Sequence, residues 1–110
     1  MIPNAPPDMD EISAAHRKLA ILKELHRQNG FSANERVMAA WLHDLALGGT
    51  REVIRMALEE LARIQVIKTD LRGFDGDTMV FWLTERGIDY LEHRTTIDDL
   101  PRIGPGYSPY

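Results

Sequence analysis

The residues whose types and spacing could do chemistry lie mostly between positions 50 and 63. Thr50 is a good helix N-cap, and a step of about 100° per residue places Arg51 at the start of the helix and Arg55 on its exposed face. Arginine makes bidentate hydrogen bonds to guanine, and the N–H groups of a helix start hold phosphate. The segment therefore predicts a helix start that enters the major groove of double-stranded DNA. The candidate DNA-binding residues are Arg36, Thr50, Arg51, Arg55, Arg63, Lys68 and Arg72.

The charges of the same segment also fit an ordinary solvated helix. Between residues 50 and 64, three arginines are balanced by three glutamates. Arg55, Glu59 and Arg63 follow one another at four-residue steps, which is the spacing of ion pairs along a helix. The next segment, residues 66–83, carries two cations and three aspartates, and an acidic segment is repelled by DNA phosphates. A DNA-reading face and a solvated face both stay open at this point.

No set of catalytic or metal-binding residues is recognisable in the sequence. There is no cysteine, which excludes disulfides and thiolate chemistry, and the common nucleotide-binding, hydrolase and zinc-protease motifs are missing. His43 and Asp44 are adjacent, so on a helix they point in different directions and form no dyad. The other histidines, His16, His26 and His93, lack metal-ligand spacing. We expect no enzymatic activity, no cofactor and no metal.

These residues must be positioned by one small core. The chain has 110 residues, with 44% hydrophobic and 27% charged residues, which is typical of one globular domain. The net charge of −4 excludes a strongly basic nucleic-acid binder at the level of the whole chain, although not a local basic face. No unbroken apolar run of the sequence, residues 79–83 included, is long enough to cross a membrane. We expect an arm at residues 1–7, a domain at 8–94 and a tail at 95–110.

Hydrophobic periodicity predicts three helices before the first strand. The first runs from Asp8 to Gly30 and turns one apolar face inward, made of Ile12, Ala15, Leu19, Leu22 and Leu25. The second begins with a capping box formed by Ser32 and Glu35, and ends at the two glycines at positions 48–49. Because the third helix begins at once with Thr50, the second and third must cross steeply, as in a helix-turn-helix.

After residue 65 the spacing of the apolar residues changes from a helical period to one that predicts a β-hairpin. Two β-prone runs, residues 66–70 and 78–83, flank a turn-rich segment with two glycines. Alternation along the second run turns Met79, Phe81 and Leu83 inward and leaves Val80 and Trp82 outward. Val80 and Trp82 are therefore a candidate interface, unless the arm or the tail covers Trp82. A last helix begins at Thr84 and ends near Arg94, and the tail after it is either a docking peptide or a frayed terminus.

Two stretches of the sequence carry a resemblance to a known class. REVIRMALEELARIQVIK and FWLTERGIDYL resemble the third helix, the wing strands and the closing helix of winged helix-turn-helix proteins, and the LTERG step is typical of that class. The wider pattern is similar to small proteins of Mu-like bacteriophages and prophages labelled ArsR-like regulators. The matching stretches are AHRKLAILKEL near the start, GFSANERVMAAWLHDLALGGTREVIRMALEELARIQVI in the middle and LTERGIDYLEHRTTIDDLPR near the end. The resemblance covers residues 10–103 and implies a regulator that binds DNA, without the thiolate sensor chemistry of the ArsR label.

The predicted fold is mainly α with a small β-hairpin: a winged helix-turn-helix with a three-helix core, a two-stranded wing and a closing helix. The predicted function is that of a non-enzymatic, DNA-binding transcription regulator of phage or prophage type, acting as a homodimer in the cytoplasm of the bacterial host. The alternative is a winged-helix protein-interaction module that holds a phage or host protein during phage development or assembly without binding DNA. The charge of residues 50–63 and of the wing discriminates between the two functions, because a DNA-binding surface needs local positive charge and an interaction module does not.

Overall fold

The computed structural model describes residues 8–74 and 76–100. Within these residues the chain forms four helices and one three-stranded antiparallel sheet. The elements in chain order are α1 (Met9–Arg27), β1 (Ser32–Asn34), α2 (Glu35–Asp44), α3 (Arg51–Arg63), β2 (Ile67–Arg72), β3 (Thr78–Leu83) and α4 (Glu85–Leu91). A short 3₁₀ turn joins α1 to β1. The predicted combination of helices with a β-hairpin is confirmed, and the sheet has one strand more than predicted.

Each helix begins at a residue whose side chain accepts a hydrogen bond from a backbone N–H of the first turn. Asp8 caps α1, Thr50 caps α3 by accepting from Val53 at 3.2 Å, and Thr84 caps α4. Such a cap satisfies one of the N–H groups that have no partner within the helix. The predicted starts of these three helices are therefore confirmed.

The predicted capping box at the start of the second helix is wrong. The N-cap of α2 is Asn34, whose side chain accepts from Val37 N at 3.0 Å, and Ser32 lies in β1. β1 pairs antiparallel with β3, with Ser32 opposite Trp82 and Asn34 opposite Val80. The physical reason is that the open edge of β3 satisfies the backbone groups of Ser32–Asn34, and Asn34 supplies the cap two residues later.

The sheet has the strand order β1-β3-β2, so β3 is central. The β2–β3 hairpin has the predicted position, with Ile67 opposite Leu83. Met79, Phe81 and Leu83 are buried as predicted, because alternate residues of a strand point to opposite faces. Val80 and Trp82, on the other face, are half-buried.

One hydrophobic core lies between the inner face of the sheet and the helices. Its fully buried members include Leu22 and Leu25 of α1, Leu42 of α2, Leu61 of α3 and Phe81 of β3. α1 contributes only its second half to this core. The prediction that Ile12 and Ala15 face inward is wrong: both are exposed, Ile12 by 40%, since no other described element covers the first turns of α1.

The ends of several elements differ from the predicted ones. α1 ends at Arg27, before Gly30, and α2 ends at Asp44, where Ala46 takes the left-handed conformation (φ 58°) that was expected of the glycines. Ile97 and Leu100 belong to the predicted tail, yet they are buried in the core. The predicted arm and residues 101–110 lie outside the described residues. None of the described helices is long and apolar enough to cross a membrane.

Candidate nucleic-acid interface

The candidate interface is built around the starts of α2 and α3, which lie side by side. Between them is an open cleft of about 280 Å³, called here the α2–α3 cleft. Its lining residues are Glu35, Arg36, Ala39, Gly49, Arg51 and Ile54. Arg36 follows the Asn34 cap of α2, and Arg51 follows the Thr50 cap of α3. The positive ends of two helix dipoles and two guanidinium groups therefore meet at one opening.

Behind this opening a buried carboxylate holds two arginines. Glu35 is only 5% exposed, and it accepts hydrogen bonds from Arg55 Nε and Nη2, both at 2.8 Å. The same carboxylate accepts from Arg51 Nη2 at 3.2 Å and from the backbone N–H of Met79 at 3.1 Å. The two bonds from Arg55 form the bidentate arrangement that fits a planar guanidinium to a carboxylate.

Asp77, at the turn end of the β2–β3 hairpin just before β3, completes the group. Its carbonyl oxygen accepts from Arg51 Nη2 and from Arg55 Nη2, each at 2.6 Å. Its carboxylate lies 3.0 Å from Arg51 and 3.9 Å from Arg55. Glu35, Arg51, Arg55 and Asp77 are called here the charge cluster. It ties the hairpin to the starts of α2 and α3, and its two cations are matched by two anions.

The electrostatics of the charge cluster follow from these contacts. The pKa of Glu35 is lowered from 4.5 to about 2, chiefly by the hydrogen bonds from Arg55, against the opposing effect of burial. The pKa of Arg55 is raised by its hydrogen bonds to Glu35, and that of Arg51 by its hydrogen bonds to Asp77 and then to Glu35. Glu35, Arg51 and Arg55 are therefore charged at neutral pH.

These contacts change what the predicted DNA-binding arginines can do. Arg55, predicted on the exposed face of α3, has a side chain only 24% exposed and faces the charge cluster, so that prediction is wrong. The reason is that Glu35 comes from α2, which packs against this side of α3. The alternative ion pair of Arg55 with Glu59 is likewise not among the ion pairs of the described residues. Arg51 keeps a side chain 51% exposed and reaches the α2–α3 cleft.

The remaining candidate residues differ in the contacts that they make. Arg36, Arg63 and Lys68 are exposed, and within residues 8–74 and 76–100 none of them makes an ion pair. Arg72 pairs with Asp70 at 3.0 Å, so one acid of the hairpin is already neutralised. The hydroxyl of Thr50 accepts the N-cap hydrogen bond of α3. A phosphate at this helix start would therefore be held by backbone N–H groups and not by the Thr50 hydroxyl.

The candidate interface of Val80 and Trp82 lies on the outer face of the sheet among polar residues. In register with Trp82 are Ser32 and Lys68, and the guanidinium of Arg72 lies over the indole ring, 5.9 Å from its centre. A cation over an aromatic face is a favourable contact that also shields the ring from water. Trp82 is therefore partly covered by a residue that the sequence had placed only among DNA contacts.

One histidine, His26, takes part in a contact between the ends of α1 and α4. His26 Nε2 lies 2.9 Å from the Glu92 carboxylate, and the His26 ring stacks on Phe31. The pKa of Glu92 is lowered, first by this hydrogen bond and then by the one from Arg94. Among the described residues there is no group of three histidine, aspartate or glutamate side chains that could hold a metal ion.

Sequence reasoning missed Glu35 and Phe74. Glu35 was assigned to a cap, and its true partners are 16 to 44 residues away, beyond any local pattern. Phe74 is fully exposed at the tip of the β2–β3 hairpin, with a relative exposure of 113%, although an aromatic residue between two glycines could have been singled out. Comparison of the chain with protein families, curated proteins and solved structures found no match.

Proposed function

We propose that the chain is a winged helix-turn-helix protein that binds double-stranded DNA as a transcription regulator of phage or prophage type. In this proposal α2 and α3 are the helix-turn-helix pair, and the β2–β3 hairpin is the wing. The order helix, short strand, helix, helix, hairpin, helix supports it. A DNA-binding helix-turn-helix presents the start of its second helix to the major groove, and here that start is α3.

The observation that carries the proposal is the pair Arg36 and Arg51 at the mouth of the α2–α3 cleft. Both guanidinium groups lie next to capped helix starts, where the N–H groups and the helix dipole favour a phosphate. Arg63 and Lys68 are further exposed cations on α3 and β2. Arg55 acts in this proposal through the charge cluster, by holding the wing and Arg51 in place, and does not read a base.

The few available cations set the expected strength of binding. Each neutralised phosphate contributes about 0.9 to the slope of log affinity against log salt, so three contacts per subunit give a slope near −3. A monomer therefore binds DNA weakly, and a useful affinity requires contacts to base edges and a dimer that binds two half-sites.

A titration of a labelled duplex, followed by fluorescence anisotropy at several salt concentrations, tests the proposal. Arg36→Ala should weaken binding and reduce the slope by about 0.9. The matched control is Arg27→Ala, which removes an exposed arginine at the end of α1 and should leave the slope unchanged. Equal effects of the two substitutions, or no binding at the lowest salt, would refute a DNA interface at the cleft.

The second candidate function is a protein-interaction module of the same fold in phage development or assembly. It is favoured by one observation: α2 and α3 expose apolar side chains, Val37 by 63% and Met56 by 59%. In contrast, the guanidinium groups of Arg55 and Arg51 on α3 form ion pairs within the chain. Exposed apolar residues of this size are typical of protein interfaces when they lie together. Retention of function in the phage after Arg36→Ala and Arg51→Ala, combined with loss after Met56→Asp, would favour this module.

A further inference from the structure

β2 is an edge strand of the sheet, because the strand order is β1-β3-β2. It is six residues long and contains no proline or glycine that would interrupt it. Within residues 8–74 and 76–100, no strand pairs with the side of β2 that faces away from β3. An open edge of this length presents a row of backbone N–H and C=O groups to which a further strand can be added.

One hydrogen bond shows which backbone groups of β2 point to this open edge. Thr84 N donates to Val66 O at 3.0 Å, so the backbone groups of Val66 face the β3 side. In an antiparallel ladder the side to which these groups point alternates from one residue to the next. The N–H and C=O groups of Ile67, Thr69 and Leu71 therefore point away from β3, and no other backbone group of the described residues bonds to them there.

The side chains of β2 differ between its two faces. On the inner face Ile67 is buried in the core, whereas Leu71 is 51% exposed. On the outer face Lys68 and Asp70 carry opposite charges two residues apart, and both are exposed. Asp70 accepts a hydrogen bond from Arg72 through Oδ2, and a carboxylate can accept further ones. The edge therefore combines outward backbone groups, an exposed leucine and two unlike charges.

These features are complementary to a second copy of β2 in antiparallel orientation. Because the outward backbone groups belong to odd-numbered residues, only registers that place odd-numbered residues opposite one another form the hydrogen bonds. With Thr69 opposite the partner's Thr69, Lys68 lies opposite the partner's Asp70 and Asp70 opposite the partner's Lys68. Leu71 then lies opposite the partner's Ile67, so that its exposed side chain meets an apolar one.

The neighbouring registers do not have this complementarity. A shift to the next permitted register in one direction places Lys68 opposite the partner's Lys68, and a shift in the other direction places Asp70 opposite the partner's Asp70. Like charges directly opposite each other are destabilising, whereas unlike charges contribute to the pairing of two strands. The sequence of β2 therefore favours a single register for pairing with itself.

We propose that two copies of this chain pair through β2 in this register and form one continuous antiparallel sheet with three strands from each copy. The backbone groups of Ile67, Thr69 and Leu71 of each copy make the hydrogen bonds across the interface. The pair has twofold symmetry, so it closes and leaves neither β2 edge open. This interface goes beyond the proposed function, because it needs no DNA, and it differs from the outer sheet face of Val80 and Trp82.

Charge reversal in the full chain, followed by sedimentation velocity at low salt without DNA, tests the proposal. The wild type should form dimers as its concentration rises. Lys68→Glu places a carboxylate opposite the partner's Asp70, and Asp70→Lys places an ammonium group opposite the partner's Lys68. Each substitution should weaken the dimer at least about fivefold, since it acts twice in the pair. The double variant exchanges the charges and should restore the dimer.

Two features of the design separate a local contact from a general effect of charge. Lys68→Glu and Asp70→Lys shift the net charge in opposite directions, so general repulsion cannot weaken the dimer in both. The matched control is Glu59→Lys, an equal reversal on the exposed side of α3, which should leave the dimer intact. Lys68 and Asp70 are exposed, so the variants keep their fold, which circular dichroism verifies.

A mixture of the two single variants gives the sharpest test of the register. One variant then carries two acidic side chains at the β2 edge, and the other carries two basic ones. In the mixed pair every charge again lies opposite an unlike charge. The mixture should therefore form dimers at concentrations at which each variant alone is monomeric.

Amide hydrogen exchange of the wild type locates the interface. In dilute solution the N–H groups of Ile67, Thr69 and Leu71 should exchange faster than those of Lys68 and Asp70, which face β3. At high concentration the first three should become protected. A wild type that stays monomeric, a dimer that either single reversal leaves unchanged, a mixture that stays monomeric, or protection that does not depend on concentration would overturn the proposal. A failure of DNA binding leaves this test unaffected.

Discussion

Replacing Glu35 by glutamine removes the central charge of the cluster and keeps the shape of the side chain. Glu35 is 5% exposed and holds Arg55 through two hydrogen bonds. Among the ion pairs of the described residues, the variant leaves the guanidinium of Arg55 with the more distant carboxylate of Asp77. Removing one partner of a buried ion pair is costly, because the other charge stays away from water. We expect a clear loss of stability in Glu35→Gln at neutral pH.

The size of this loss follows from the pKa of Glu35. A change from 4.5 in the unfolded chain to about 2 in the folded chain corresponds to about 3 kcal/mol of stability, as an upper bound because solvent reaches Arg51. Since the folded-state pKa is lowered, this stability is fully present above about pH 5 and is lost as the pH falls toward 2. Near pH 3 about 1 kcal/mol of it remains.

Urea unfolding of the wild type and of Glu35→Gln at pH 7 and at pH 3 measures this effect. The free energy of unfolding should be lower in Glu35→Gln by up to about 3 kcal/mol at pH 7, and this difference should shrink by up to about 2 kcal/mol at pH 3. The control is Glu59→Gln, on the exposed side of α3, which should change stability by less than about 0.5 kcal/mol. A pH-independent difference, or Glu35→Gln within about 0.5 kcal/mol of the wild type at pH 7, would refute the described role of the cluster.

Substitutions at three further positions test the fold by the same unfolding assay. Leu61→Ala empties a fully buried site and should cost about 2–5 kcal/mol, and a wild-type melting curve would contradict the position of α3 in the core. Gly87→Ala should destabilise the protein by about 1–3 kcal/mol despite the better helix propensity of alanine, because a Cβ at this position collides with the carbonyl oxygen of Val66. Thr50→Ala removes the cap of α3 and should cost about 1 kcal/mol, whereas Thr50→Ser should restore most of it.

Features set by local sequence were predicted well. The threonine caps of α3 and α4 depend on a residue and its next three neighbours. The alternation of buried and less buried side chains along β3 depends on the sequence of that strand alone. The collision at Gly87 also gives a physical reason for the glycine in the LTERG step, since α4 passes very close to the start of β2. The caps and the alternation are visible to sequence reasoning because their partners are close in the chain.

Features set by distant partners were not predicted. β1 is three residues long and has no alternation of its own, so only the open edge of β3 makes it a strand. Glu35 occupies a position that also suits a capping box, and its burial depends on Arg55, which lies 20 residues further along. Arg55 was placed on an exposed face from a projection of its own helix, which could not show that α2 packs against that side of α3.

The central claim is that the starts of α2 and α3 form a DNA-binding surface. The most direct measurement is an NMR titration of the isotope-labelled protein with a short duplex at low salt, following every backbone amide and the arginine Nε–H groups. The proposed function predicts that the largest changes occur at Arg36, Thr50 and Arg51, and that they fade as salt is added. Spectra that stay unchanged, or changes confined to α1 and α4, would contradict it.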